Sequence, residues 1–248
     1  MSAGLLYRIG GWPGEAGRGE NEPGLASGLR LRWSDGMPVR PAMTLGRRIA
    51  LEVKRAGDFI VSLAALIVLL PLLLFVAAAI KFSSKGPVFF RQTRIGLDGK
   101  PFTIFKFRSM YLDKCDAPGS LQAVAGDERV TPIGRFIRKT SIDELPQLLN
   151  VFFGEMSLVG PRPYVPDMLA AGRRYDEIVP YFSMRHEIRP GLTGWAQANG
   201  YRGPTMIEEL AIRRVEHDIA YLQNFSLMLD LEIVLKTLRR ELTGGSGV

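Results

Sequence analysis

The sequence predicts an α+β protein attached to a membrane, and three observations support this fold class. Residues 59–80 form an uncharged apolar segment, and about 22 residues is the length that spans a hydrocarbon core. The next stretch alternates aromatic and β-branched residues with polar ones, which is typical of a small β-hairpin. Amphipathic repeats recur in the remainder of the chain and indicate several helices at a core or a membrane interface.

Composition narrows the choice of partners. The chain has 248 residues, a formal net charge of +7 and a pI near 9.7, which fit one sizeable domain that binds anions. Nucleic acid, anionic lipid and phosphorylated substrates all satisfy the charge, but the apolar segment favours a lipid bilayer and no nucleic acid. Cys115 is the only cysteine, which excludes an intramolecular disulfide and a CxxC metal site. A homodimer is compatible with the sequence.

We divide the chain into four regions. Residues 1–43 are rich in Gly, Pro and charge and are expected to form a disordered tail. Residues 44–85 contain a basic approach and the apolar segment, which begins too far along the chain for a secretory signal peptide. Residues 86–242 form the main domain, and residues 243–248 are a flexible C-terminus.

The apolar segment has basic residues on both sides, so the positive-inside rule places both of its ends in the cytoplasm. A segment with both ends inside must turn back. Pro71 offers a kink, because it lacks an amide hydrogen and crowds the carbonyl of Ile67. A helix over residues 59–70 would reach roughly 18 Å, about one leaflet of a ~30 Å core. An ordinary spanning helix remains the alternative, since such helices tolerate proline.

The remaining elements follow from local periodicity. Residues 88–92 and 102–108 are predicted as the two strands of a hairpin with a turn at 96–99. Helical spacing predicts helices over residues 133–137, 145–153, 167–175, 206–224 and 227–242. The last helix has an apolar face that suits either a protein core or a bilayer surface, and it consists of Leu227, Leu231, Val234, Leu235, Leu238 and Leu242.

Adjacent carboxylates at Asp143 and Glu144 are the first candidates for chemistry. Phosphoryl transfer requires an oxygen nucleophile and a cation that offsets phosphate charge. One carboxylate can therefore attack phosphorus while its neighbour holds Mg²⁺. A solvated acidic pair in the first turn of a helix is the alternative. The two histidines lack zinc-site spacing, and neither a GxSxG elbow nor a Walker A loop is present.

Basic and polar residues around this pair are candidates for substrate binding. Arg162 lies between two prolines that fix its backbone, which suits bidentate phosphate recognition. Residues 189–203 combine tight turns, an aromatic ring, amides and arginines, as in a small polar-ligand pocket; the alternative is a structural loop with Trp195 in the core. The candidate binding residues are Arg91, Lys106, Arg108, Arg138, Arg162, Trp195, Gln197, Asn199 and Arg202. The wider basic set upstream includes Arg94, Arg135 and Lys139.

The motifs together resemble a known family, the bacterial sugar transferases. The matching segments, in the family's order over about residues 50–242, are Lys54-Arg55 with Asp58, then residues 86–92, 106–110, 143–148, 157–163 and 190–200. This family comprises the monotopic phosphoglycosyl transferases that start exopolysaccharide and glycan assembly.

The resemblance implies an enzyme that moves a sugar 1-phosphate from a nucleotide diphosphate sugar to polyprenyl phosphate. Asp143 would be the nucleophile on the β-phosphate, and Glu144 would help bind Mg²⁺. A re-entrant helix would hold the active site at the cytoplasmic face of the bacterial inner membrane, with Arg55, Asp58 and Pro71 as its hairpin residues. Family members often have Ser-Pro at the break, whereas here Leu70 precedes Pro71, so a hydroxyl for the freed carbonyl is missing.

The resemblance also implies a particular kind of substrate. Residues 199–203 look like members that transfer a hexose 1-phosphate such as glucose or galactose, and uridine is the base that the resemblance implies. Two other functions stay open: a membrane-bound nucleotide-sugar hydrolase, in which water resolves the Asp143 intermediate, and a non-catalytic assembly scaffold.

Overall fold

A computed structural model of the chain describes residues 28–114, 127–203, 205 and 207–243, and the part described mixes helices with short strand pairs. The helices are α1 (Leu45–Ser83), α2 (Pro132–Lys139), α3 (Leu148–Phe153), α4 (Tyr175–Ile178), α5 (Trp195–Ala198), α6 (Glu208–Asn224) and α7 (Leu227–Thr243). The strands are β1 (Trp33–Ser34), β2 (Met37–Pro38), β3 (Phe89–Ile95), β4 (Pro101–Phe107), β5 (Ser157–Val159), β6 (Leu169–Ala170), β7 (Arg173–Arg174) and β8 (Gly191–Thr193). The α+β class is confirmed.

Helix α1 contains the apolar segment. Its N-cap is Thr44, whose side chain accepts a hydrogen bond from the amide of Arg47 at 3.2 Å and so satisfies a backbone group that the helix leaves unpaired. The helix has 39 residues and contains Pro71 without ending there, which corresponds to about 58 Å at full extension. Within the described residues it is the one helix long and apolar enough to cross a membrane.

The two ends of α1 pack on the same folded domain, whereas its middle is exposed. Near the first end, Arg55 donates to the carbonyls of Val151 and Phe152 at 2.7 and 2.8 Å. Near the second end, Val76 and Ile80 lie in one buried cluster with Phe107 and Ile137. Between these contacts lie large apolar side chains with little protein around them, including Ile67, Val68, Leu70, Leu74 and Phe75.

The predicted hairpin is confirmed as β3 paired antiparallel with β4. A 3₁₀ turn over Leu97–Gly99 joins the strands, with Asp98 and Gly99 at positive φ of 55° and 74°. Such backbone angles suit glycine and are tolerated by aspartate, which explains this turn sequence. Strand β4 carries Lys106 at its end, next to the buried Phe107.

The segment predicted as a helix over 145–153 forms two elements in succession. A 3₁₀ helix, Ile142–Gln147, carries Asp143 and Glu144, and α3 follows it directly. Gly154 ends α3 with φ of 87°, as a C-terminal glycine does. The catalytic candidates therefore lie on a tight turn between α2 and α3 rather than on a regular α-helix.

Two expectations from the sequence differ from the structure. The helix predicted over residues 167–175 is instead the β6 and β7 hairpin, because Ala171 and Gly172 take positive φ of 49° and 80° and reverse the chain. Disorder was also expected for residues 28–43, and this is wrong, because the segment contacts α6: the Gln223 side-chain amide donates to the carbonyls of Arg32 and Val39 at 2.9 and 2.8 Å. Residues 1–27 and 244–248 lie outside the described residues, so the predictions for these terminal stretches are untested.

Helices α6 and α7 confirm the helices predicted over residues 206–224 and 227–242. Helix α6 buries Ala211, Val215 and Ile219 in the largest apolar cluster. Helix α7 buries Leu229 and Ile233, and of the predicted apolar face only Val234 is described as packing against the same cluster. Four residues of that face are exposed, namely Leu227, Leu231, Leu235 and Leu238.

Candidate active site

Glu144 is the centre of a cluster of cations. It lies in the 3₁₀ helix Ile142–Gln147 and is 9% exposed. Its Oε1 accepts from Lys106 Nζ at 2.8 Å and from Arg162 Nη2 at 2.6 Å, and its Oε2 accepts from Arg162 Nη1 at 3.2 Å. Arg202 Nη2 lies 3.7 Å from Oε2. The carboxylate is thus bound by a bidentate arginine and a lysine, which are strong charge-assisted hydrogen bonds.

These cations decide the charge of Glu144. Burial alone would favour the neutral acid, but the charges of Arg162 and Lys106, together with the hydrogen bond from Arg162, hold the pKa of Glu144 well below its usual value. Glu144 is therefore ionised at neutral pH. In return, the charge of Glu144 raises the pKa of Arg162 despite its burial.

Asp143 has the opposite environment. Burial and the neighbouring charge of Glu144 raise its pKa from 3.8 to about 6, against the opposing charges of Lys106, Arg138 and Arg162. No hydrogen bond or ion pair holds its carboxylate within the residues that the structure describes. An ionised, unpaired carboxylate beside several cations is a competent nucleophile for an anionic substrate.

The backbone around Arg162 is fixed at three successive carbonyls. The carbonyl of Pro161 accepts from the Gly191 amide at 2.9 Å. That of Arg162 accepts from Arg185 Nη2 at 2.6 Å, and that of Pro163 accepts from Arg94 Nη1 at 3.1 Å. The guanidinium of Arg162 is consequently presented to Glu144 from a rigid loop, as the two flanking prolines predicted.

Arg185 is itself anchored below this loop. It is 2% exposed and forms a buried ion pair with Asp218 at 2.7 Å. Its guanidinium also lies 4.0 Å from the ring centre of Tyr164, close enough for a cation–π contact. Removing either charge of such a pair leaves the other buried without a partner, so the pair fixes the loop strongly.

Three glycines allow the Arg162 loop to meet β8. Strands β5 and β8 pair in parallel, and Gly160 follows β5 while Gly191 and Gly194 lie at the two ends of β8. A Cβ atom at any of these glycines would collide with backbone atoms of the opposite segment. The two sequence motifs that contain them therefore form one joint whose spacing admits only glycine.

The structure brings Lys106, Arg162 and Arg202 to the carboxylate pair, and Arg138 is close enough to affect the charge of Asp143. Arg91 does not join this cluster among the contacts described: it is exposed on β3, 5.5 Å from the ring centre of Phe105.

Four other candidates are buried or bound to backbone carbonyls instead. Arg108 is 4% exposed and binds the carbonyls of Ser84 and Lys85 beyond the end of α1. Trp195 is 2% exposed in the core beneath α7, which fits the structural alternative given above. Gln197 is also buried, and the Asn199 amide donates to the Trp195 carbonyl at 2.7 Å. The structure does not place these four side chains against the carboxylate pair.

Residues that the sequence did not single out complete the site. Arg94 belonged to the basic set, but its role as a support for Pro163 had no sequence signal. Arg185 and Asp218 come from distant segments and meet only after folding. Ser141 and Glu241 join Arg202 through side-chain hydrogen bonds, and they are 100 residues apart. Of these residues, only Ser141 could have been suspected from the sequence, because it lies two residues before Asp143.

Two adjacent carboxylates are donors that a magnesium ion shared with a substrate would use. Mg²⁺ is bound in many phosphate-transfer sites by one or two carboxylates, with substrate phosphates and water as further ligands. Asp143 and Glu144 offer adjacent carboxylates, and the low pKa of Glu144 keeps it anionic. No group of three acidic, histidine or cysteine side chains capable of holding a metal by itself occurs among the described residues.

A largely buried carboxylate pair among cations, on a domain joined to a long apolar helix, is typical of membrane-associated enzymes that act on phosphorylated substrates. Comparison with known proteins makes this class specific. The sequence model of the bacterial sugar transferase family matches residues 49–244. The chain belongs to this family and is a transferase.

Curated relatives support the assignment over most of the chain. An exopolysaccharide production protein of Rhizobium leguminosarum bv. phaseoli is 50% identical over 197 residues, which are 79% of this chain and 98% of the relative. An undecaprenyl-phosphate glucose phosphotransferase of Komagataeibacter xylinus is 49% identical over 189 residues, 76% of this chain and 36% of the relative.

A third relative is the UDP-glucose:undecaprenyl-phosphate glucose-1-phosphate transferase of Escherichia coli K12. It is 44% identical over 209 residues, 84% of this chain and 44% of the relative. The chain thus spans less than half of the Komagataeibacter and Escherichia proteins and nearly all of the Rhizobium one.

Proposed function

We propose that the protein transfers a hexose 1-phosphate from a UDP-sugar to undecaprenyl phosphate, as the first membrane step in the synthesis of an exopolysaccharide or related glycan. The observation that carries this proposal is the contrast between the two carboxylates of the site. Glu144 is ion-paired and ionised, whereas Asp143 has no ion pair with any described residue and a pKa of about 6. The names of the relatives support the donor and the lipid acceptor.

The reaction takes two displacements at one phosphorus. A carboxylate oxygen of Asp143 attacks the β-phosphorus of the donor, and the bond from this phosphorus to the bridging oxygen breaks, so that UMP leaves with the electron pair. The sugar phosphate is then an acyl phosphate on Asp143. A phosphate oxygen of undecaprenyl phosphate attacks the same phosphorus, and the bond to Asp143 breaks. The two anionic substrates thereby use the site in turn.

The cations have defined tasks in these steps. Arg162 and Lys106 already bind a carboxylate through short contacts, and the same geometry suits the oxygens of a diphosphate. Arg138 contributes a positive charge near Asp143, which offsets repulsion between the nucleophile and the donor. Glu144 would help to hold Mg²⁺, which would supply charge neutralisation on the diphosphate of the donor and on the UMP that leaves.

Intact-protein mass spectrometry tests this chemistry. The full chain in detergent is mixed with Mg²⁺ and, one at a time, UDP-glucose, UDP-galactose and UDP-N-acetylgalactosamine, without lipid acceptor. We expect a hexose-phosphate adduct on the parent protein and none on Asp143→Asn. An unmodified parent protein and intact donor throughout the panel would contradict the proposal and favour the scaffold.

The same incubation distinguishes a hydrolase. Without acceptor, a transferase releases about one UMP per protein and stops, because only lipid phosphate resolves the adduct. Continued release of UMP and sugar phosphate would show that water resolves it. Addition of undecaprenyl phosphate should then restart UMP release only for the transferase.

We also propose that α1 enters the cytoplasmic leaflet of the inner membrane and returns, with the domain on the cytoplasmic face. Contacts from both ends of the helix to one domain support this topology. The apolar side chains in the middle of the helix, which the protein leaves exposed, would be buried in lipid. In a Cys115→Ser background, cysteines at Glu52 and Ser83 should both resist an impermeant maleimide in intact cells and react after lysis. Labelling of one of them in intact cells would indicate a spanning helix.

A further inference from the structure

Glu241 connects the C-terminal helix α7 to the catalytic turn. Its Oε1 accepts from Arg202 Nη1 at 2.7 Å, and its Oε2 accepts from the Ser141 hydroxyl at 3.1 Å. Arg202 Nη2 also donates to the Ser141 oxygen at 3.2 Å. These three side chains therefore form a closed ring of hydrogen bonds, mostly shielded from solvent, with Glu241 25% and Arg202 20% exposed.

Ser141 is the residue through which this ring acts on the carboxylate pair. It takes a left-handed conformation with φ of 55° and ψ of 14°, which a residue with a side chain seldom adopts. Its amide donates to the Arg138 carbonyl at 3.1 Å, and its carbonyl accepts from the Glu144 amide at 3.2 Å. The conformation of Ser141 consequently sets the direction in which the following turn, with Asp143, leaves α2.

Arg202 is shared between two carboxylates. The short ion pair with Glu241 at 2.7 Å contrasts with the 3.7 Å separation from Glu144. Without Glu241, Arg202 would lose its shorter carboxylate contact, and the charge of Glu144 would draw its guanidinium closer to the carboxylate pair, since the attraction between opposite charges grows as they approach in a partly buried site. Glu241 thus holds Arg202 beside the carboxylate pair and prevents the guanidinium from covering Asp143.

A second acidic residue on α7 provides a comparison. Glu232 forms an ion pair with Lys236 at 2.7 Å on the exposed side of the same helix, where the two side chains are 50% and 40% exposed. Exposed pairs of this kind contribute little to stability. Loss of Glu232 therefore reports any general effect of a charge change on α7.

We propose that Glu241 is a positioning residue of the transfer reaction: it holds Ser141 and Arg202 so that Asp143 is aligned for attack on the donor phosphorus. The inference rests on the proposed function, because it concerns the same nucleophile. It adds a requirement that α7 be docked for chemistry to occur. Glu241 affects the alignment of the nucleophile more than the binding of the donor.

Rapid-quench measurement of UMP release separates alignment from binding. The full chain, with UDP-glucose and Mg²⁺ and no acceptor, is compared as parent, Glu241→Ala, Glu241→Asp and Glu232→Ala. We expect Glu241→Ala to lower the maximal rate of UMP release about 10- to 100-fold, the scale of a small misalignment. The donor concentration for half-maximal rate should change less than about threefold, and Glu241→Asp should recover part of the rate.

Each result decides the question. Equal rates for Glu241→Ala and Glu232→Ala would overturn the proposal. A slow Glu241→Ala variant that melts well below Glu232→Ala and gains nothing from Glu241→Asp would also overturn it, in favour of a purely structural tie. A slow variant with a normal melting temperature and partial rescue by aspartate supports it.

A second measurement does not depend on turnover. A water-soluble carbodiimide labels accessible carboxyl groups, and peptide mass spectrometry quantifies labelling of Asp143 without donor. Glu241→Ala should label Asp143 about threefold more slowly than the parent, because Arg202 then covers the carboxylate; an unchanged labelling rate would count against the proposal. If the parent released no UMP from any donor while this difference persisted, the proposed function would fail, and only the control that Glu241 exerts on the position of Arg202 would be supported.

Discussion

Replacement of Asp143 by asparagine is expected to stabilise the folded protein while it removes the proposed nucleophile. Burial and the charge of Glu144 raise the pKa of Asp143 from 3.8 to about 6. An ionised Asp143 therefore costs the folded state on the order of 3 kcal/mol at pH 7, because each tenfold change in an ionisation equilibrium corresponds to about 1.4 kcal/mol. Asparagine has nearly the same shape and no charge, so it avoids this cost.

The sign of the effect with pH follows from the raised pKa. The neutral carboxyl is favoured in the folded protein, so its stabilising contribution is present below about pH 4 and is lost as the pH rises through about 6. The gain from Asp143→Asn should therefore be largest above pH 6 and disappear near pH 4.

Thermal unfolding in detergent measures the effect. A gain of about 3 kcal/mol corresponds to a rise in Tm of roughly 6–12 °C for a domain of this size. Glu144→Gln is the matched control with the opposite sign, because it leaves Lys106 and Arg162 without their carboxylate and should cost about 3–5 kcal/mol. A melting temperature of Asp143→Asn at or below that of the parent at pH 7.5, or a gain that persists at pH 4, would refute the reasoning.

Three further predictions concern rate, specificity of contact and packing. The rate of adduct formation should fall about tenfold for each step of one in pH below about 6, because Asp143 must be ionised; a flat profile from pH 7 to 5 would contradict this. Arg162→Lys should lower that rate about 10- to 100-fold, since lysine cannot reproduce the two contacts to Glu144. An unchanged rate in steady-state kinetics would show that a single point charge is sufficient and would contradict this prediction. Ile219→Ala, at a fully buried position, should cost about 2–5 kcal/mol in denaturant unfolding, whereas the exposed Glu209→Ala should change stability little.

The parts of the fold that the sequence predicted depend on local periodicity. Alternation of residue types predicted the β3 and β4 hairpin, and helical spacing predicted α6 and α7, because each pattern lies within a single element. The pattern at residues 167–175 failed because a positive φ at Ala171 and Gly172 reversed the chain within it. A turn of this kind overrides a short apolar repeat.

The candidate site was predictable where the residues that meet in it are adjacent in the sequence. Asp143 with Glu144, and Arg162 between its prolines, both follow from residue type and spacing. Trp195 in the glycine-rich loop was open to two interpretations, since burial of its ring depends on α6 and α7 packing over it. Arg185 and Glu241 could not be found, because their partners lie in distant parts of the chain.

The joint of Gly160, Gly191 and Gly194 determines where substitutions that inactivate this protein should be found. None of the three has a side chain that could touch a substrate, yet a single methyl group at any of them would force two backbone segments apart. The guanidinium of Arg162 would move with its segment, away from the acidic pair. Inactive variants should therefore include substitutions at these three glycines, which have no side chain of their own. A library that varies only polar residues would miss the joint on which the position of Arg162 depends.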